Sequence, residues 1–350
     1  MKADRKTGLE FLRIIAMFAI VLGHFMSHSN GFTDATDIKN PLVIAEEAVN
    51  SFGLFKVNVF ILITGFFMIE KQIDFAQVKE KLLPLWRVVF GYSIGIMIVM
   101  LFITRPSFAG IVKSFFPILS YRYWFVTTYF VLILLTPIIN RAFINISKEV
   151  YRKILIVLLL CFCVWQTIIP FVTTVDDEQG YSIVWFVTVY IIGGYIRKYG
   201  LNIVNNKLRI PIYLLTSVLY LIYCIAVEII FDKTSFSLHI PYYNSIFALI
   251  ASVALFNFFY NIDIHGKLGD IILNISRSVL AVYLISDNPL IRKVLYSKVL
   301  KIDKYINDGI KSILFVLLFA LIIFGICLVI DIIRKMIINL FKRMKRKCYE

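Results

Sequence analysis

Apolar residues in this chain neither alternate nor keep to one helical stripe. They run for about twenty positions at a time, the length of helix that crosses the hydrocarbon core of a bilayer. Charged residues or clusters of Pro, Gly and Asn separate the runs. Ten are legible, near 8–28, 48–69, 84–104, 122–140, 154–172, 182–198, 210–231, 243–260, 271–291 and 311–333. The expected fold is an all-α integral membrane protein of about ten transmembrane helices, forming one membrane-embedded domain over residues 1–350.

Composition agrees and excludes a soluble enzyme. The chain is 60% apolar and 17% charged, against about 45–50% and about 25% in soluble domains. Mean hydropathy is +0.83. Ten spans and their loops consume nearly all 350 residues, so no separate soluble catalytic domain is expected. The first apolar run lacks a small-residue cleavage site and reads as a retained helix. Four of the five cysteines fall in apolar runs and the fifth, Cys348, in the basic tail, so no disulfide framework is expected.

Charge sets the orientation. A net charge of +15 would suggest nucleic acid in a soluble protein. In a membrane protein it reflects basic loops beside anionic lipid, and no nucleic-acid partner is expected. With the N-terminus cytoplasmic, 24 of the 37 Lys and Arg lie on the cytoplasmic side and 11 outside. Both termini are therefore placed in the cytoplasm. The tail, Arg334 to Glu350, is a basic cytoplasmic segment that either anchors the last helix or meets lipid headgroups or a partner. Residues 292–311 run against the rule, since they carry six basic residues and lie outside. The acidic loop Thr174–Gly180 reads as solvated.

Ionisable residues within spans cost about 2.5–3.5 kcal/mol each on insertion scales, so each needs a reason. The first span holds Arg13 and His24. Eleven helical residues turn through about 1100°, three turns plus about 20°, so both side chains share one face about 16 Å apart. Arg is a permanent forked cation suited to phosphate or a polarised carbonyl. His takes and returns protons near neutral pH. A cation low and a base high suit a reaction whose donor enters from the cytoplasm and whose acceptor waits outside. The alternative is a snorkelling Arg13 and an interfacial His24 bonded to a neighbouring helix.

Other polar residues leave similar pairs of readings. Lys56 is placed about one and a half turns into the second span, at a depth like that of His24. It stabilises an oxyanion, pairs with Glu46 or Glu47, or snorkels to the interface. Tyr121, Tyr123 and Trp124 at the outer end of the fourth span offer a stacking face for a sugar or form an aromatic belt. His28 follows His24 by one turn, but no third ligand of suitable type is nearby, so no metal is expected. Asp287 and Asn288 before Pro289 either orient His24 or end a helix.

Arg13-x10-His24 after a short basic N-terminus resembles the signature of the acyltransferase 3 family of membrane O-acyltransferases. Val57–Phe67 is similar to that family's second-span segment, with Thr64 where Ser is usual. Tyr123–Tyr129 with Leu135-Thr136-Pro137, Trp185-Phe186 through Gly193-Gly194-Tyr195, and Ser278–Ile285 resemble further family segments. Ser286 stands where a His is common, and Lys79, Lys81 and Arg87 stand where the family often has clustered arginines.

The resemblance implies transfer of an acyl group, commonly acetyl, from a cytoplasmic acyl-CoA to a hydroxyl of an extracytoplasmic glycan. It points to the stand-alone type that modifies capsule or exopolysaccharide at the cell membrane. No bound cofactor is implied; acetyl-CoA is a substrate, and the polysaccharide-synthesis machinery is a further partner. His24 is implied as general base or transient acyl carrier, and Arg13 as the contact for the donor's phosphopantetheine arm or thioester carbonyl. Lys79, Lys81 and Arg87 are implied to hold nucleotide phosphates, while Lys56, Tyr123 and Trp124 face the acceptor. An exporter or flippase of a polysaccharide precursor is the alternative function, and a structural subunit of a synthesis complex is a third.

Overall fold

The computed structural model describes residues 6–28, 40–168, 178–200, 205–231, 242–292, 294–299 and 310–347. Thr174–Asp177, the centre of the basic 292–311 segment and the end of the tail lie outside those residues. Each of the ten apolar runs forms helix among the described residues, while 169–172 of the fifth run lie outside them. Eight segments are long and apolar enough to cross a membrane. The sixth and eighth runs give shorter helices, of 17 and 15 residues. Among the described residues there is no strand.

In chain order the helices are α1 (Thr7–Ser27), α2 (Pro41–Phe52), α3 (Asn58–Met68), α4 (Phe75–Ile103), α5 (Phe108–Phe115), α6 (Trp124–Ile144) and α7 (Lys148–Leu159). Then follow α8 (Ile183–Tyr199), α9 (Arg209–Phe231), α10 (Ile246–Tyr260), α11 (Gly266–Ser276), α12 (Val279–Ser286) and α13 (Ile310–Lys347). Short polar side chains start many of them. Asp74 Oδ1 accepts from the Gln77 N–H at 2.8 Å, and Ser182 and Ser245 cap α8 and α10 in the same way.

Three expected spans differ in form. The second, expected as one helix over 48–69, is two helices joined by a 3-10 turn, Leu54–Lys56. Tyr213 Oη donates to the Phe52 carbonyl freed by that interruption, at 2.7 Å. The ninth, expected at 271–291, runs 266–286 and breaks between α11 and α12. There Lys335 Nζ donates to the Arg277 carbonyl at 3.3 Å and the Ser278 Oγ at 2.8 Å. Backbone groups at membrane depth need such partners, because lipid offers none. The last span does not end near 333: α13 is one helix of 38 residues that includes most of the basic tail.

Helix α1 is the shared wall of two cores. Leu9, Leu12 and Ala16 pack with α3, α8 and α10. Met17, Val21 and Phe25 pack with α4, α12 and α13. Helices α3 and α8 cross closely. A Cβ on Gly65 would strike the Tyr190 carbonyl and one on Gly193 the Leu62 carbonyl, so only glycine lets the two backbones meet. Helices α4, α7, α9 and α13 keep outward apolar rows, with Phe102, Val157, Ile222 and Ile333 all more than half exposed or nearly so. Such rows suit hydrocarbon.

Candidate functional site

Between α1, the α2–α3 turn, α6 and α12 lies a cavity of about 280 Å³ lined by Arg13, His24, Lys56 and Trp124. Arg13 and His24 thus open onto one space, as their helical spacing requires. Arg13 Nη1 donates to Glu10 Oε1 at 3.1 Å, an i,i+3 pair that holds the guanidinium from one side. Its Nε is buried without a hydrogen-bond partner among the described residues. A buried N–H of this kind is an open donor for a carbonyl or phosphate oxygen.

His24 is the only ionisable group on the upper part of α1 that lines this space. Its Nδ1 is 3.8 Å from Asp287 Oδ1. Asp287 follows the last turn of α12, where its N–H donates to the Tyr283 carbonyl at 3.0 Å. The same carboxylate oxygen is 3.7 Å from His28 Nε2 and 3.4 Å from Arg292 Nη1. The helix ends here, and the carboxylate faces both histidines, although His24 Nδ1 is buried without a hydrogen-bond partner among the described residues. Asn288, next in the chain, supports the wall: its Nδ2 donates to Tyr123 Oη at 2.6 Å and its Oδ1 accepts from Arg122 Nη2 at 3.2 Å. Among the described residues no three His, Cys, Asp or Glu side chains are arranged to hold a metal.

Lys56 lies within the Leu42–Met68 span, at an interruption of its helix. It ends the 3-10 turn between α2 and α3, and it is buried. A Cβ on Gly23 would come within 2.7 Å of Lys56 Nζ, so glycine beside His24 makes room for the ammonium. The sequence reading of equal depth with His24 therefore holds, for a different backbone reason. Lys56 Nζ also stands 6.0 Å from the Tyr243 ring centre.

The wall beside Lys56 is aromatic. Trp124 and Tyr181 rings are 4.3 Å apart, Tyr181 and Tyr243 5.3 Å, and Trp124 and Tyr243 lie nearly parallel at 6.4 Å. Burial pushes the Tyr181 phenol up to about 12, which keeps it a neutral hydroxyl. Thr64, at the usual Ser position of the resemblance, lines the cavity and sits 3.3 Å from Tyr129 Oη.

Four predicted site residues do not line the cavity. Tyr123 is fully buried, with its hydroxyl on the Leu284 carbonyl at 3.1 Å. Lys79, Lys81 and Arg87 lie exposed on the first turns of α4. Conversely, Tyr181, Tyr243 and Asn58 went unremarked in the sequence. Asn58 is buried and ties two elements, donating to the Tyr243 carbonyl at 2.8 Å and accepting from Trp185 Nε1 at 3.0 Å. Tyrosines at the outer ends of spans carry the same signal whether they bind a ligand or face lipid headgroups, so pattern alone does not separate them.

No curated protein and no solved structure matches the chain. Residues 6–332 match the family model described as the acyltransferase domain, Acyl_transf_3; the chain belongs to that family and is a multi-pass membrane acyltransferase.

Proposed function

We propose that the protein moves an acyl group, acetyl in the simplest case, from cytoplasmic acyl-CoA to a hydroxyl of an extracytoplasmic surface polysaccharide. The observation that carries this reading is the single cavity lined by Arg13 at one level and by His24 and Lys56 at another. Both termini are cytoplasmic in this reading, which puts Arg13 on the donor side and His24 on the acceptor side. Arg13 holds the pantetheine arm through its open N–H groups, while the thioester carbonyl lies at the His24 level. Asp287, 3.8 Å from His24 Nδ1, supports the protonated imidazole by charge, and Nε2 serves as the base.

The hydroxyl oxygen then attacks the thioester carbonyl carbon while its proton passes to His24 Nε2. The C–S bond breaks, and the departing sulfur takes that proton, giving free CoA and an O-acyl ester. Lys56 stabilises the oxyanion of the tetrahedral stage. Trp124, with Tyr181 and Tyr243, offers the sugar a stacking surface. Lys79 and Lys81 contribute only positive potential at the donor side in this arrangement.

Proton NMR of surface glycan before and after mild base tests the proposal in three strains. One lacks the gene, one carries it restored, and one carries a well-expressed His24→Ala variant. Base-labile acyl signal that returns only with the native gene supports the proposal and names the acyl group. Equal ester in all three, with altered polymer amount, overturns it in favour of an exporter.

A further inference from the structure

A second recess lies outside the cavity, in the seam between α4 and α13. It measures about 450 Å³ and is lined by Arg87, Arg334, Lys335 and Lys342 over Pro84, Val88 and Ile338. No acidic side chain lines it. Its level in the bundle follows from ring contacts. Phe18 meets Phe324 and Phe25 meets Phe319, so α1 and α13 run antiparallel and Arg334 reaches the level of the first turns of α1. That is the Arg13 end.

The four cations are not equivalent. Asp331, fully buried, holds two of them. Its Oδ1 accepts from Tyr92 Oη at 2.7 Å, Arg334 Nη2 at 2.7 Å and Arg334 Nε at 2.9 Å, and its Oδ2 is 2.6 Å from Lys335 Nζ. Lys335 Nζ also donates to the Arg277 carbonyl and the Ser278 Oγ. Arg334 is fixed by the same carboxylate, yet its Nη1 has no hydrogen bond among the described residues. Arg87 and Lys342 have no hydrogen bond or ion pair among the described residues. A clamped guanidinium with open donors, two unpaired cations and no competing carboxylate suit a doubly charged oxyanion.

We infer that the α4–α13 recess is a binding site for a phosphate ester. The chemistry is shared by two sources, the phosphates of a nucleotide donor and the headgroup of an anionic phospholipid. The nucleotide source rests on the acyl-CoA reading above; the lipid source does not. The α4 wall leads toward the cavity, and the Lys335 contact at Ser278 borders it. Leu85, two residues from Arg87, and Val279, next to Ser278, both line the cavity that Arg13 lines.

The test uses the full chain in phosphatidylcholine nanodiscs, with two probes. Adenosine 3′,5′-bisphosphate is titrated calorimetrically, and phosphatidylglycerol occupancy is read by native mass spectrometry. The variant Arg87→Gln/Lys342→Gln removes the two unpaired cations and leaves the Asp331 cluster intact. Each charge-assisted contact carries about tenfold in affinity. Wild-type binding of one probe should therefore weaken about 10- to 100-fold in the variant and fall with added salt. Loss confined to the nucleotide probe assigns the donor end; loss confined to the lipid probe assigns a headgroup site. Unchanged binding of both probes overturns the inference. His24→Ala should leave both titrations unaltered, so failure of acyl transfer and failure of this site are read separately.

Discussion

Asp287 Oδ1 lies 3.8 Å from His24 Nδ1, joining the end of α12 to the upper turns of α1 across the whole length of the chain. The carboxylate is nearly buried, and Arg292 at 3.4 Å shares it. Asp287→Asn keeps the shape and removes the charge. Transfer should fall by about 10- to 100-fold in kcat with acceptor KM unchanged, since only the imidazole's protonated form loses support. Steady-state rates of the purified variant check this.

Gly23 and Lys56 form a second pair. A Cβ at residue 23 displaces the ammonium, so Gly23→Ala and Lys56→Met should each lower kcat by about tenfold or more. Because both remove one interaction, the double variant should lose no more than the worse single one. A double-mutant cycle with additive losses would separate the two residues.

Adjacent aromatic positions should behave differently. Trp124→Ala opens the wall and should raise acceptor KM about tenfold, as loss of one stacking contact does. Tyr123→Phe should leave KM alone and cost about 1–2 kcal/mol of stability, because Asn288 loses its buried partner. Acceptor kinetics and thermal melting in detergent distinguish the two.

Gly193→Ala tests the α3–α8 crossing. Its methyl group meets the Leu62 backbone, which has no rotamer to yield, so stability should fall by about 1–3 kcal/mol. Donor and acceptor KM of the surviving folded protein should remain those of the parent. Size-exclusion after graded heating reads the loss.

Much of this was legible before any coordinates. Arg13 and His24 share a face because helical rotation is the same in lipid and water, and uninterrupted apolar runs are a strong signal. Local interruptions were harder. Gly53 and Val57 flank a turn that composition does not reveal, since a broken helix and a continuous one of equal apolarity have the same hydropathy. Asp287 stood out as a polar break, but its meeting with His24 depends on α12 docking against α1. Arg87 and Arg334 carried a similar ambiguity: each reads as an ordinary positive-inside charge until tertiary packing places them in one recess.

The two interrupted helices have a consequence for parts of the chain that touch no substrate. Helices α9 and α13 contribute no residue to the cavity, yet Tyr213 closes the backbone gap after Phe52 and Lys335 closes the one after Arg277. Each acts as an outrigger, holding open from the periphery a site it never sees. A truncation that spares Lys335 should keep the chamber's shape, whereas one ending before Asp331 should let it sag. Tolerance to deletion along α13 is then set by a single ammonium rather than by the helix's length.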